Sequence, residues 1–232
     1  LDDYTFPADT PSRSRGGSRV GFSANTSHVY GNSISPENGV VMGATAEFIL
    51  RPLGSAAEAT TVTGDFRAYL PGAIRHHVVA LRAAGGISAG NRLVTRTFLL
   101  GGASENVDVL NFGRRAFSLL RAFPANAFAG THVAVANAEY RWPIARPQRG
   151  IRAWPLFLHT VHASVGVDAG HAWTDTFRIR SVKTSAGAEL SMNFVAGYAF
   201  PFTATLGAAW GRDGAASHRD NRMVYVRFGR AF

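Results

Sequence analysis

Apolar and polar residues alternate with a period of two through most of this chain, and no other feature restricts its fold as strongly. In an extended strand that period sends successive side chains to opposite faces. Over 40–51, Val40, Met42, Ala44, Ala46, Phe48 and Leu50 share one face, and Thr45, Glu47 and Arg51 lie on the other. The pattern recurs over 60–70, where Val62, Phe66, Ala68 and Leu70 oppose Asp65 and Arg67. It recurs over 131–142, 156–170, 181–192, 201–211 and 223–232, and more weakly over 18–30 and 74–86. Turn chemistry separates these runs: SPENG at 35–39, PLGS at 52–55, PG at 71–72 and RDGAASHRDN at 212–221. No amphipathic helix competes for any of them. The pattern predicts an all-β, antiparallel meander of about nine strands.

The two faces differ in kind. Glu47, Asp65, Arg67, Glu139, Arg141, Asp168 and Glu189 fall on the same side as Thr, Ser and Gly. That face suits an aqueous barrel lumen, and the opposite Ala, Val and Phe stripes suit a lipid-facing wall. Aromatic residues near strand ends, Tyr140, Trp142 and Trp210, match the girdles found where a membrane meets water. A soluble barrel reverses the two faces, which alternation alone does not exclude. A soluble β-barrel binding module therefore stands as an alternative. No run of about eighteen apolar residues is present, so a spanning helix is excluded. With 232 residues the chain has room for roughly eight to ten strands.

Composition removes several function classes. There is no cysteine, hence no disulfide, thiolate chemistry or cysteine-ligated metal. The net charge of +9 raises the possibility of nucleic-acid binding, but Arg19, Arg67, Arg82, Arg141 and Arg227 occur singly at strand positions rather than in runs. Eight histidines invite a metal reading. However, His76 and His77 are adjacent and His159 and His162 take opposite faces, so neither pair converges on one site in a strand. No GxSxG motif or paired-carboxylate motif is present, so neither an enzyme nor a cofactor or metal site is expected. The opening LDDYTFPADTPSRSRGG lacks the apolar core of an export signal and starts at Leu1. Residues 1–17 read as a linker or incomplete strand, and 18–232 as strands and connections of a membrane β-barrel, which the resemblance given below makes the C-terminal part of an outer-membrane barrel.

One stretch breaks the rhythm. Residues 87–127 form a connection far longer than an ordinary loop, with GG at 101–102, NFGRR at 111–115 and LLRAFPANAF at 119–128. Rich in Leu, Phe and Arg, it must pack on something, and the barrel interior is the available surface.

These residues carry a resemblance. Leu120-Arg121-Ala122-Phe123 resembles the Val/Leu-Arg-Gly-Phe/Tyr motif near the tip of the inward loop in the bacterial surface antigen superfamily. That family includes the outer-membrane protein assembly barrel and the two-partner secretion transporters. FLLGG at 98–102, with Gly101 and Gly102, resembles the start of the same loop. Gly166-Val167-Asp168-Ala169-Gly170 resembles the family's aromatic-or-Gly-x-Asp-x-Gly motif, and NAEYRWPI at 137–144 the strand between them. Phe232, with Phe228 before it, resembles a C-terminal insertion signal. Two departures stand out. Arg230 breaks the apolar pattern of that signal, and Ala122 occupies the usual glycine position, where alanine would strain a backbone of positive φ.

The resemblance implies a barrel of about sixteen strands when complete, the missing ones and a periplasmic N-terminal region lying outside this sequence. It implies insertion or translocation of unfolded or secreted polypeptides at the bacterial outer membrane, with no cofactor. It also implies a lock in which Arg121, flanked by Phe123, pairs with Asp168; Glu189 and Glu139 face inward by the alternation and are candidates to share that contact. Without that family pattern, an exposed loop arginine and a solvated lumen acid is the simpler reading. A passive porin or structural surface antigen is the alternative function.

Overall fold

The computed structural model describes residues 15–103, 116–117, 120–152, 154–197, 199–214 and 220–229. Nine long strands follow one another as an antiparallel meander. They are β1 (Gly17–Asn25), β2 (Gly39–Ile49), β3 (Ala59–Pro71), β4 (Val78–Gly90), β8 (His132–Ala145), β10 (Leu156–Trp173), β11 (Lys183–Ala196), β12 (Phe200–Asp213) and β13 (Asp220–Gly229). The short β9 (Arg149–Gly150) pairs with the start of β10. Three further short strands, β5 (Phe98–Leu100), β6 (Ala116–Phe117) and β7 (Phe128–Gly130), form a separate small sheet inside the long connection. Two 3-10 turns, at Arg51–Leu53 and Ile179–Ser181, are the only helical segments among the described residues. No helix there is long and apolar enough to cross a membrane, which leaves a strand-built span open.

The alternation divides the sheet's faces as the sequence implies. On one face Val62, Phe66, Leu81, Val165, Val167 and Leu206 are exposed. On the other, Glu47, Asp65, Arg67, Arg82, Asn137, Glu139, Asp168 and Glu189 are buried. A soluble sheet that hid its apolar face would show the reverse. The polar face is covered by the long connection, whose Phe98, Leu100, Leu120, Ala122 and Phe123 pack against Ala84, Val133, Val135 and Ala209 of the wall. The interior is therefore a mixed one, with apolar loop side chains and paired charges on the same surface.

Several boundaries differ from the sequence reading. Residues 87–90 continue β4, so the long connection starts at 91 rather than 87 and runs to 131. The Ala-Gly-rich end of β4 has little strand propensity of its own, and pairing with Thr60–Thr63 of β3 and with β8 holds it extended. Residues 74–77 form a turn instead of a strand start, with Gly72 N–H donating to His77 O at 2.7 Å. His76 and His77 consequently sit in that turn. Nδ1 of His76 lies 2.7 Å from Glu37 and Nδ1 of His77 lies 2.7 Å from the Tyr140 hydroxyl. β1 ends at Asn25, and 26–38 is a connection carrying a single bridge, His28 to Asn38. Gly17 already belongs to β1. Residues 1–14, all of NFGRR at 111–115 and the terminal Arg230 and Phe232 lie outside the described residues.

Candidate functional site

The motif Leu120–Phe123 folds as a tight turn at the tip of the inward connection. Phe123 N–H donates to Leu120 O at 3.1 Å, which puts Arg121 and Ala122 at its two central positions. Gly102 clamps the turn from one side: Leu120 N–H donates to Gly102 O, and Gly102 N–H to Phe123 O, both at 3.1 Å. The clamp needs the paired glycines. Gly101 and Gly102 have φ of 132° and 100°, and a side chain at Gly101 would lie 2.3 Å from Pro124 O. Ala122 is not among the residues of positive φ, so the strain expected from alanine at this position is absent. Its methyl group is instead accommodated across the lumen. A Cβ at Gly211 on β12 would lie 2.5 Å from the Ala122 Cβ and 3.0 Å from the Phe123 ring.

Arg121 is 2% exposed, the largest fully buried side chain among the described residues. Its guanidinium pairs with three carboxylates from three neighbouring strands: Glu139 of β8, Asp168 of β10 and Glu189 of β11. Nε lies 3.2 Å from Glu189, and the Arg121 backbone N–H also donates to Asp168 at 3.2 Å. Three acids around one arginine would be repulsive without further support, and each has it. Asp168 accepts from Asn137 at 2.9 Å and Ser185 at 2.8 Å. Arg141 donates to Glu139 at 2.7 Å. Tyr225 and Arg227 donate to Glu189 at 2.6 and 2.9 Å. Such charge-assisted, multiply bonded groups fix orientation as well as position.

Glycines in the wall open the space that the loop side chains fill. A Cβ at Gly166 would stand 3.0 Å from Arg121 Nη1, and one at Gly170 would stand 3.1 Å from Leu100. At Gly86 the Phe98 ring would be 2.7 Å away. Each glycine of the GVDAG motif therefore lies beneath a side chain of the connection. Phe123 packs edge-on against Phe128, with ring centroids 5.2 Å apart.

The last strand is tied to the same loop. Asn221 Nδ2 donates to Ala122 O at 2.6 Å, and Arg227 Nη1 to Ala103 O at 2.5 Å. A second anchor lies toward β1, where Glu47 of β2 pairs with the loop's Arg96 at 2.6 Å and with Arg19 of β1 at 2.7 Å. Arg96 N–H also donates to Ser88 Oγ at 2.8 Å. The sequence reading did not single out Gly211, Arg96, Glu47, Asn221 or Tyr225 as site residues. Parity had placed Glu47, Gly211 and Tyr225 on the inner face, but it carries no depth or azimuth; Arg96 and Asn221 fell in the long connection and in a turn, where alternation gives no signal.

Arg121, Asp168, Glu139, Glu189 and Phe123 thus come together, with Gly101, Gly102, Gly166 and Gly170 shaping the contact. Phe228 lies apart, 75% exposed on the apolar face of β13, and Phe232 is outside the described residues. No three His, Asp or Glu side chains group as metal ligands among the described residues. Residues 12–211 match the family model of the Omp85 superfamily domain. No curated protein matches the chain.

Proposed function

This chain belongs to the Omp85 superfamily, and from that premise we propose that it inserts or translocates polypeptides at the bacterial outer membrane as part of a β-barrel. The family is one of outer-membrane barrels that work on polypeptides. The observation that carries the reading for this chain is the buried Arg121, held by carboxylates of β8, β10 and β11 while its neighbours bond to β13.

In this reading Arg121 is a positioning residue. It sets the loop in the lumen, and through Asn221 and Arg227 the loop sets β13. The outer edge of β13 has no strand partner among the described residues. Unpaired backbone groups are not tolerated in hydrocarbon, so in a membrane that edge is closed by further strands or by an incoming one. A substrate strand adds there by backbone pairing, with affinity from main-chain hydrogen bonds and little demand on its sequence. The work needs neither nucleotide, cofactor nor catalytic side chain. Periplasmic domains of the same protein deliver the substrate.

The test uses the full-length protein. Arg121→Ala is expected to lower insertion or secretion of substrate polypeptides, with the barrel still folded in the membrane. Unchanged polypeptide handling together with raised ion conductance would instead establish a passive porin.

A further inference from the structure

The apolar face of the sheet is not uniform. Phe22, Ala44, Gly64, Gly85, Ala134 and His171 are register partners across β1, β2, β3, β4, β8 and β10. Four consecutive small residues between Phe22 and His171 leave a groove of about 770 Å³ on the outside of the wall. Met42, Val62, Phe66 and Ile87 form its sides, and Phe177 and Val182 close one end. Five strand spacings make the row roughly 24 Å long. That exceeds the about 15 Å depth of one hydrocarbon leaflet, so an inclined lipid chain fits along it.

His171 stands at the opposite end of the row from Phe22. It lines the groove and is 8% exposed, and its Nδ1 has no hydrogen-bond partner. The ring is held in place by stacking on Trp173 at 5.4 Å, and Trp173 stacks in turn on His132 at 5.5 Å. Nδ1 itself is buried, so the stacked His171 and Trp173 rings serve as a rigid wall at this end of the groove. The segment between the two groove-closing residues Phe177 and Val182 carries Arg178 and Arg180. Both are exposed, and neither makes an ion pair among the described residues. Asp175 is the single acid in that connection, 174–182.

We propose that the groove binds a phospholipid of net negative charge, with an acyl chain along the small-residue row and the phosphate, unpaired by any headgroup cation, on Arg178 and Arg180. Arginine suits the phosphate because its planar fork bonds two oxygens at once. This proposal rests on the reading that the apolar face lies in lipid.

The test places the full-length protein in phosphatidylcholine vesicles, with Trp173 kept and every other tryptophan replaced by phenylalanine. Quenching of Trp173 by brominated phosphatidylglycerol is compared with quenching by brominated phosphatidylcholine. Half-quenching is expected at an about tenfold lower mole fraction of the anionic lipid. Arg178→Gln with Arg180→Gln is expected to equalise the two lipids, and Ala134→Phe, which fills the groove floor, to do the same. Equal quenching by both lipids in the starting protein overturns the site while leaving the wall in the membrane. No quenching by either lipid overturns the membrane placement and the site together.

Discussion

Replacing Arg121 by alanine removes the cation that three buried carboxylates share. Around the loop tip, Arg121, Arg141 and Arg227 balance Glu139, Asp168 and Glu189. Without Arg121, Glu139 keeps Arg141 and Glu189 keeps Arg227, but Asp168 is left with uncharged donors, Asn137, Ser185 and the backbone N–H of residue 121. The Asp168 side chain is fully buried, so its charge is stranded. Breaking a buried pair from one side costs about 3–5 kcal/mol. Asp168→Asn leaves Arg121 two carboxylates and is expected to cost less, about 1–2 kcal/mol. Hydrogen exchange of full-length protein in bilayers reads this directly as the opening free energy of amides in 98–103 and 120–130. Opening is expected to rise roughly a hundred- to several-thousand-fold in Arg121→Ala. The exchange Arg121→Asp with Asp168→Arg is expected to rescue poorly, because Glu139 and Glu189 then face an aspartate. A loss below about 1 kcal/mol in Arg121→Ala would mean that water screens the pairs and that something else holds the loop. Full rescue by the swap would refute the three-carboxylate site in favour of a single pair.

Three other outcomes follow from the contacts. Gly211→Ala is expected to destabilise by about 1–3 kcal/mol through overlap with Ala122, and Ala122→Gly in the same chain to recover much of that loss, measured as non-additivity in thermal or denaturant unfolding. Arg96→Ala is expected to free the start of the loop at a cost of about 1–3 kcal/mol, raising proteolysis within 91–97 more than around Arg121. The Glu37 carboxyl, in the 26–38 connection, is raised by burial but lowered more by hydrogen bonds from His76 and Ser33, and ends below its ordinary value. A carboxylate lowered in the folded state contributes stability above its unfolded value and loses it as pH falls through the folded one. Exchange in 26–38 is therefore expected to accelerate on acidification below the ordinary glutamate range, and Glu37→Gln to remove that dependence.

The strand faces were legible because parity is local: Val165 and Asp168 differ in environment for a reason visible within three residues. The partners of Arg121 are a different kind of information. Asp168, Glu139 and Glu189 lie 47, 18 and 68 positions away, and alternation places all three on the inner face without saying which stand side by side. The pairing of Arg121 with Asp168 came from motif resemblance and the two glutamates from parity alone, and only the register of β8, β10 and β11 brings all three within reach of one guanidinium. Gly211 was illegible for the same reason, since its role depends on a methyl group 89 residues earlier in the chain. The end of β4 was misread because Ala-Gly-Gly has weak strand propensity, and its neighbours rather than its own sequence hold it extended.

Placement of the apolar stripe in lipid and of the charged stripe in the lumen is tested most directly along β10. Nitroxide labels at each position from 161 to 169 of the cysteine-free protein in bilayers report collisions with oxygen and with a water-soluble nickel chelate. Odd positions, including Val165 and Val167, are predicted to favour oxygen, and even positions, including Ser164 and Asp168, to favour the chelate or neither. High chelate accessibility at Val165 and Val167 would contradict a lipid-facing wall.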